Sequence, residues 1–227
     1  MRRLAPFWLL LVGLGALGAE AEEPVVETGP YLVVGSGFSV VGQQETKLGA
    51  DDADIEYDDA GLAELSLGYR VHSHVRVEAN LNYRQHHIEN IDFEGPTEVS
   101  HKGDIHAIGA LANVLVDYPL GRQIERDSIP ILVPYAGVGV GVLWTKPRAE
   151  LRTTPEQKIR GESAEFAWNV LAGVEIPITR RAGLQIGYRY LESLDQSWNL
   201  RIGASSAGSV DAPYQAHEGR VGLRIGY

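Results

Sequence analysis

Charged side chains recur at alternate positions in several stretches of this sequence. Arg76 and Glu78 are followed by Arg84, Glu64 and Arg70 precede them, and Arg220 and Arg224 stand near the end. Asp117, Glu165, Glu175 and Arg189 hold equivalent places in the runs between. Arginines and carboxylates interleaved in this way make ion pairs, and charges taken out of water must be paired. Two chemistries fit the set: a salt-bridge core that plugs an interior, or a polar path that opens when its pairs part.

Other residue types suggest further chemistry and then withdraw it. Asp51, Asp52, Asp54, Glu56, Asp58 and Asp59 offer oxygen ligands suited to calcium. The EF-hand spacing fails there, with no glycine at the sharp turn and no closing Glu, so the stretch reads as a solvated acidic tip. Seven histidines raise the question of catalysis. A serine nucleophile needs a base within hydrogen-bond reach, which on one strand means a His two positions from a Ser. No His-x-Ser occurs, and neither His106 nor His217 has a serine two positions away. The pairs His72/His74 and His86/His87 read as solvated histidines at strand ends rather than as a metal site. The Gly137–Gly141 alternation opens no helix, so it is no phosphate loop. The expectation is a protein without enzyme activity, metal or cofactor.

The elements that position these residues are strands. From Phe166 the residues Trp168, Val170, Ala172, Val174, Ile176 and Ile178 share one parity, and after Thr179–Ala182 the period resumes at Leu184, Ile186, Tyr188 and Tyr190. Period two across a tight turn is a β-hairpin. Equivalent runs are Tyr31–Val41, Leu62–Val71, Val75–Arg84, Asp104–Tyr118, Ile131–Thr145 and His217–Tyr227. With the hairpin Glu165–Tyr190 that makes eight strands. Long polar loops are expected over Gly42–Asp59, Ile88–Lys102, Pro147–Glu162 and Ser193–Ala216, alternating with short turns at His72–His74 and Thr179–Ala182 and a moderate one at Pro119–Ser128. An even strand number, runs of nine residues or more and loops asymmetric between the rims suit a transmembrane barrel, whose strands need about 9–11 residues.

The ends and the composition agree. Arg2 and Arg3, the apolar run Leu4–Leu17 and Ala19-Glu20-Ala21 have the form of a cleaved signal peptide, residues 1–21, leaving a barrel over 22–227. Without Arg2, Arg3 and Glu20 the chain carries 18 basic and 29 acidic residues, a net charge of −11 that disfavours nucleic acid. There is no cysteine, which excludes disulfides, thiolate metal sites and a lipid-modified N-terminal Cys. No later segment is apolar enough for a membrane-spanning helix, but a closed barrel also satisfies every backbone group in lipid.

Alternation alone leaves the inward face open, since a lipocalin-like barrel would put the apolar face inside. Tyr69, Tyr83, Tyr118, Trp144, Trp168, Tyr190 and Tyr227 stand near strand ends on the apolar face, as an interfacial girdle does. The fold class is therefore all-β, an eight-stranded antiparallel up-and-down transmembrane barrel with short periplasmic turns and long acidic extracellular loops. Its narrow lumen receives the eleven charges named first.

Several segments also carry a family likeness. Pro134-Tyr135-Ala136-Gly137-Val138-Gly139-Val140-Gly141, Phe166-Ala167-Trp168, Ala172-Gly173-Val174 and Gly187-Tyr188-Arg189-Tyr190-Leu191 resemble the opacity-type, OmpA-like small outer-membrane barrels, the "porin family" surface antigens of proteobacteria. The resemblance implies Sec export to the outer membrane of a Gram-negative bacterium, and a role in adhesion, surface recognition or envelope integrity. Outer-membrane lipid and lipopolysaccharide are the expected partners, with assembly machinery reading the C-terminal strand. The alternative is a narrow channel for ions or small polar solutes. No peptidoglycan-binding domain follows Tyr227 in this sequence, so cell-wall anchoring is not expected.

Overall fold

The computed structural model describes residues 28–41, 44–48, 51–56, 60–93, 100–120, 132–151, 157–160, 163–194, 196–202, 205–212 and 214–226. The expected signal peptide, Tyr227, Asp58 and Asp59 lie outside them. Eight strands form the barrel wall: β1 (Gly29–Val41), β2 (Ala60–His72), β3 (Val75–Phe93), β4 (Ser100–Asp117), β5 (Val133–Leu151), β6 (Ser163–Pro177), β7 (Ala182–Ser193) and β8 (Gln215–Gly226). Each pairs antiparallel with its neighbours in sequence, and β1 pairs with both β2 and β8, from Tyr31 opposite Gly226 to Val41 opposite Ala216. That last ladder closes the sheet and removes its edges.

Short turns lie on one rim. Ser73 and His74 join β2 to β3 beside a register shift between Arg70 and His72. Between β6 and β7 the hydroxyl of Thr179 accepts from the backbone N–H of Arg181 at 3.2 Å and of Ala182 at 2.9 Å. A threonine that supplies the acceptor locally lets the chain reverse in four residues. Leu120 and Leu132 form a further bridge that extends the β4–β5 ladder toward the same rim.

The opposite rim differs from the sequence expectation. The described residues of the expected loop Ile88–Lys102 are strand: β3 continues to Phe93 and β4 begins at Ser100, with Ile88 paired to Gly103. The expected loop Pro147–Glu162 likewise begins inside β5, and Pro147 pairs with Ile105. Pro147 lies past the last β5–β6 pair, Thr145 with Ser163, where that ladder requires no donor from it. The acidic stretch is also a strand, Asp51–Glu56, paired with Gln44–Leu48 and with β3 at Asn90–Phe93. Strands at 157–160, 196–202 and 205–212 extend the sheet beyond β5. Polar composition indicates exposure to water, not irregular backbone. A hairpin leaving the membrane keeps its ladder as long as both partners run together.

Candidate functional site

Inward positions follow from the pleat, since successive side chains point to opposite faces. On β2 the buried parity runs Leu62, Glu64, Ser66 and Arg70; on β3 it runs Arg76, Glu78, Asn80, Asn82 and Arg84. On the outer parity Leu67, Phe38 and Val138 are 64%, 59% and 60% exposed, part of an apolar belt around the wall. A continuous apolar surface of this size would be a liability in water and is the requirement in lipid.

The lumen holds two groups of ions. Toward the short turns, Arg70 donates to Asp117 at 3.0 Å, and the Arg76 guanidinium lies 3.1 Å from Asp117, 3.4 Å from Glu175 and 3.7 Å from Glu78. Arg224 donates to Glu175 at 2.7 Å, and Gln185 donates to the other Glu175 oxygen at 3.0 Å. The Tyr31 hydroxyl donates to Glu78 at 2.8 Å, and Arg76 lies over the Tyr135 ring at 4.8 Å. Toward the long connections, Arg220 grips Glu64 through two nitrogens at 2.6 and 2.9 Å. Arg189 reaches Glu64 at 3.4 Å and the Asn80 carbonyl at 3.1 Å, while its Nε and that of Arg84 both donate to Glu218.

Of the eleven charges read from the sequence, the structure brings Glu64, Arg70, Arg76, Glu78, Arg84, Asp117, Glu175, Arg189, Arg220 and Arg224 into these groups. Glu165 differs. It has the inward parity but stands near the mouth, half-exposed, accepting from Ser163 at 3.2 Å. Third residue of β6, it is only partly buried and joins neither ion group among the described residues, so its expected place in the network is corrected to a rim position. Glu218 was missed, although it sits two positions before Arg220 and therefore on the same face. Also missed was a polar amide layer: Asn80 donates to Ser66 at 2.8 Å, Asn82 to Asn80 at 2.6 Å and Asn169 to Asn113 at 2.9 Å.

The lumen is not uniformly polar either. Leu111, Leu143, Leu191, Ala107, Ala167, Tyr214 and Ala216 form one buried apolar cluster, and Leu115, Tyr135 and Leu171 another. These residues come mostly from β4, β5 and β6. The glycines of β5 open no passage. A Cβ at Gly139 would overlap the Asn113 and Asn169 amides, and one at Gly137 would meet Leu115 and the Val114 carbonyl. Gly68 is a socket for the Tyr31 ring, which fills the space a side chain would take. Arginines use none of these sockets.

On the outer wall Tyr69, Tyr83, Tyr118 and Trp144 are exposed, while Trp168 and Tyr190 are half-buried against one another at 5.6 Å between ring centres. His106 shares a 2.7 Å hydrogen bond with the Tyr83 hydroxyl, and His217 one of 2.6 Å with Tyr188. His72 and His74 flank the Ser73 hydroxyl at the short turn, at 3.2 and 2.9 Å. The side chains of His86, His87, His101 and the acidic strand are outside the described residues. Among the described residues no three His, Cys, Asp or Glu converge as a metal site.

Comparison with known proteins gives a consistent picture. The family model for the outer membrane protein beta-barrel domain matches residues 7–226. An outer membrane protein of Gluconacetobacter diazotrophicus is 27% identical over 195 residues, covering 80% of this chain and 50% of that protein. The chain thus spans about half the length of that relative. An uncharacterised protein of Brucella abortus is 24% identical over 223 residues, covering 80% of this chain and 75% of its own. Among solved structures, OprG from Pseudomonas aeruginosa superposes with a TM-score of 0.55 at 16% identity, covering 88% of this chain and 98% of OprG. Neisserial surface protein A gives 0.50 at 18%, covering 88% and 97%. At these identities the two structures support the fold alone.

Proposed function

The chain belongs to the outer membrane protein β-barrel family of Gram-negative bacteria, and from that premise we propose that it acts as a closed barrel whose long connections work at the cell surface, without enzyme activity. The role is structural or adhesive: the wall holds the chain among outer-membrane lipid and lipopolysaccharide, and the extended strands carry the recognition surface outward. One observation carries this reading. Among the described residues the lumen holds six arginines and five carboxylates interlocked, with two apolar clusters packed beside them. Eight strands enclose little more than their own side chains, so a path for solute requires ion pairs to part.

The test is conductance in a planar bilayer of the refolded chain Glu22–Tyr227, beside Arg76→Ala and Glu78→Ala. A silent parent with openings in the variants supports a plugged barrel. Steady openings in the parent would replace this reading with that of a narrow channel for ions or small polar solutes.

A further inference from the structure

The two ion groups of the lumen differ in balance. Among the described residues, the group toward the short turns sets Arg70, Arg76 and Arg224 against Glu78, Asp117 and Glu175, three cations to three anions. The group toward the long connections sets Arg84, Arg189 and Arg220 against Glu64 and Glu218. One positive charge there has no counterpart. Arg84 and Arg189 are fully buried, at 0% exposure, and Glu165, near the mouth of the barrel, lies outside this network. Isolated charge away from water is costly unless something of opposite sign meets it.

Unpartnered guanidinium nitrogens occur in both groups, Arg70 Nε, Arg76 Nε and Arg76 Nη2 among them, but only the group toward the long connections carries a surplus cation. Arg84 Nη1, Arg84 Nη2 and Arg189 Nη2 are buried without a hydrogen-bond partner, as is the Ser39 hydroxyl, whose register partner on β8 is Glu218. Both guanidiniums are fastened through Nε to the same Glu218 carboxylate, so their unpartnered nitrogens stay at one level of the lumen. Toward the mouth, that level is followed by Leu191 on β7, Ala216 on β8 and Tyr214 just before β8; the other way it meets Glu64 and Asn80. A guanidinium held at Nε by one carboxylate still presents its Nη edge, and that edge suits an anion.

We propose that the lumen binds one small inorganic anion, of halide size, between the Nη edge of Arg84 and Nη2 of Arg189. The ion neutralises the extra arginine and completes the core; it is small because eight strands enclose little more than their own side chains. This inference rests on the reading of a filled lumen, but its test does not depend on conductance.

The decisive measurement is an anomalous difference map from crystals of the refolded chain grown in sodium bromide. A peak within hydrogen-bond distance of Arg84 Nη1 or Nη2 and Arg189 Nη2 is the expected result. Peaks confined to the outer surface, an adventitious ion only, would overturn the proposal, as would a carboxylate of the chain occupying the position. In solution, bromide should raise the melting temperature over gluconate at equal ionic strength, by about 3–6 °C at ten times the dissociation constant. Arg84→Met, which restores two cations to two anions, should lose that rise. A Met variant with the same bromide dependence as the parent would sink the assignment. If it does not fold, the crystallographic map on the parent still decides. Bromide in a silent barrel supports both readings, and bromide in a conducting barrel overturns only the plug.

Discussion

Arg84 on β3 and Glu218 on β8 stand 134 residues apart in the chain and meet directly across the lumen, both fully buried. Glu218 also holds Arg189 from β7, so a single carboxylate ties three strands together at one level. Removing it would leave two buried guanidiniums facing each other. Glu218→Gln should therefore cost about 3–5 kcal/mol, the usual penalty for breaking a buried pair from one side. Glu165→Gln, at the rim, should stay within about 0.5 kcal/mol. Urea unfolding of the barrel refolded into vesicles measures both, and equal effects would show that the two carboxylates share one environment.

Gly68 and Tyr31 make a socket and its occupant. Gly68→Ala should push the Tyr31 ring off the wall and loosen its bond to Glu78, at about 1–3 kcal/mol for an overpacked site. In Tyr31→Ala the same glycine change should cost little, since the overlap is gone. Additive costs in the double variant would show that ring and glycine are independent.

The outer wall predicts a different pattern from the lumen. Val138 is exposed on β5, midway between Val133 and Trp144. Val138→Arg should destabilise the barrel by about 2–4 kcal/mol in lipid, the cost of a charge near the membrane midplane. Asking how the same variant fares in short-chain detergent, where the belt is thin, gives the control. Tolerance of arginine in thick bilayers would contradict a lipid-facing Val138.

The continuation of β3 and β4 beyond the membrane can be read by hydrogen exchange. The ladder runs on through His86 with Ile105 and His87 with Asp104, to Ile88 with Gly103. Backbone amides of this stretch that point into the ladder should exchange far more slowly than unstructured peptide, because opening them requires breaking a continuous hairpin. Free exchange throughout 86–105 would return the stretch to the loop that its composition suggests.

Alternation in Val75–Arg84 or Phe166–Ile178 identifies a strand with two faces, and eight such runs with a girdle of Tyr and Trp define the class of barrel. The same parity rule puts Arg76, Glu78 and Arg84 on one side without any coordinates, because the pleat has a period of two wherever a strand exists. The extent of β3, β4 and β5 was hidden for a physical reason: a ladder persists through polar residues as long as its partner runs alongside, and no local signal records the partner. Which arginine meets which carboxylate was hidden too. Strand register and barrel closure bring Glu218 to Arg84 and Tyr31 to Gly68, and both are properties of the closed sheet. Sequence determined the fold class and the inward face; the tertiary structure decided the pairing, the apolar half of the lumen filled by Leu111, Leu143 and Leu171, and the surplus arginine, because these depend on distances across the barrel.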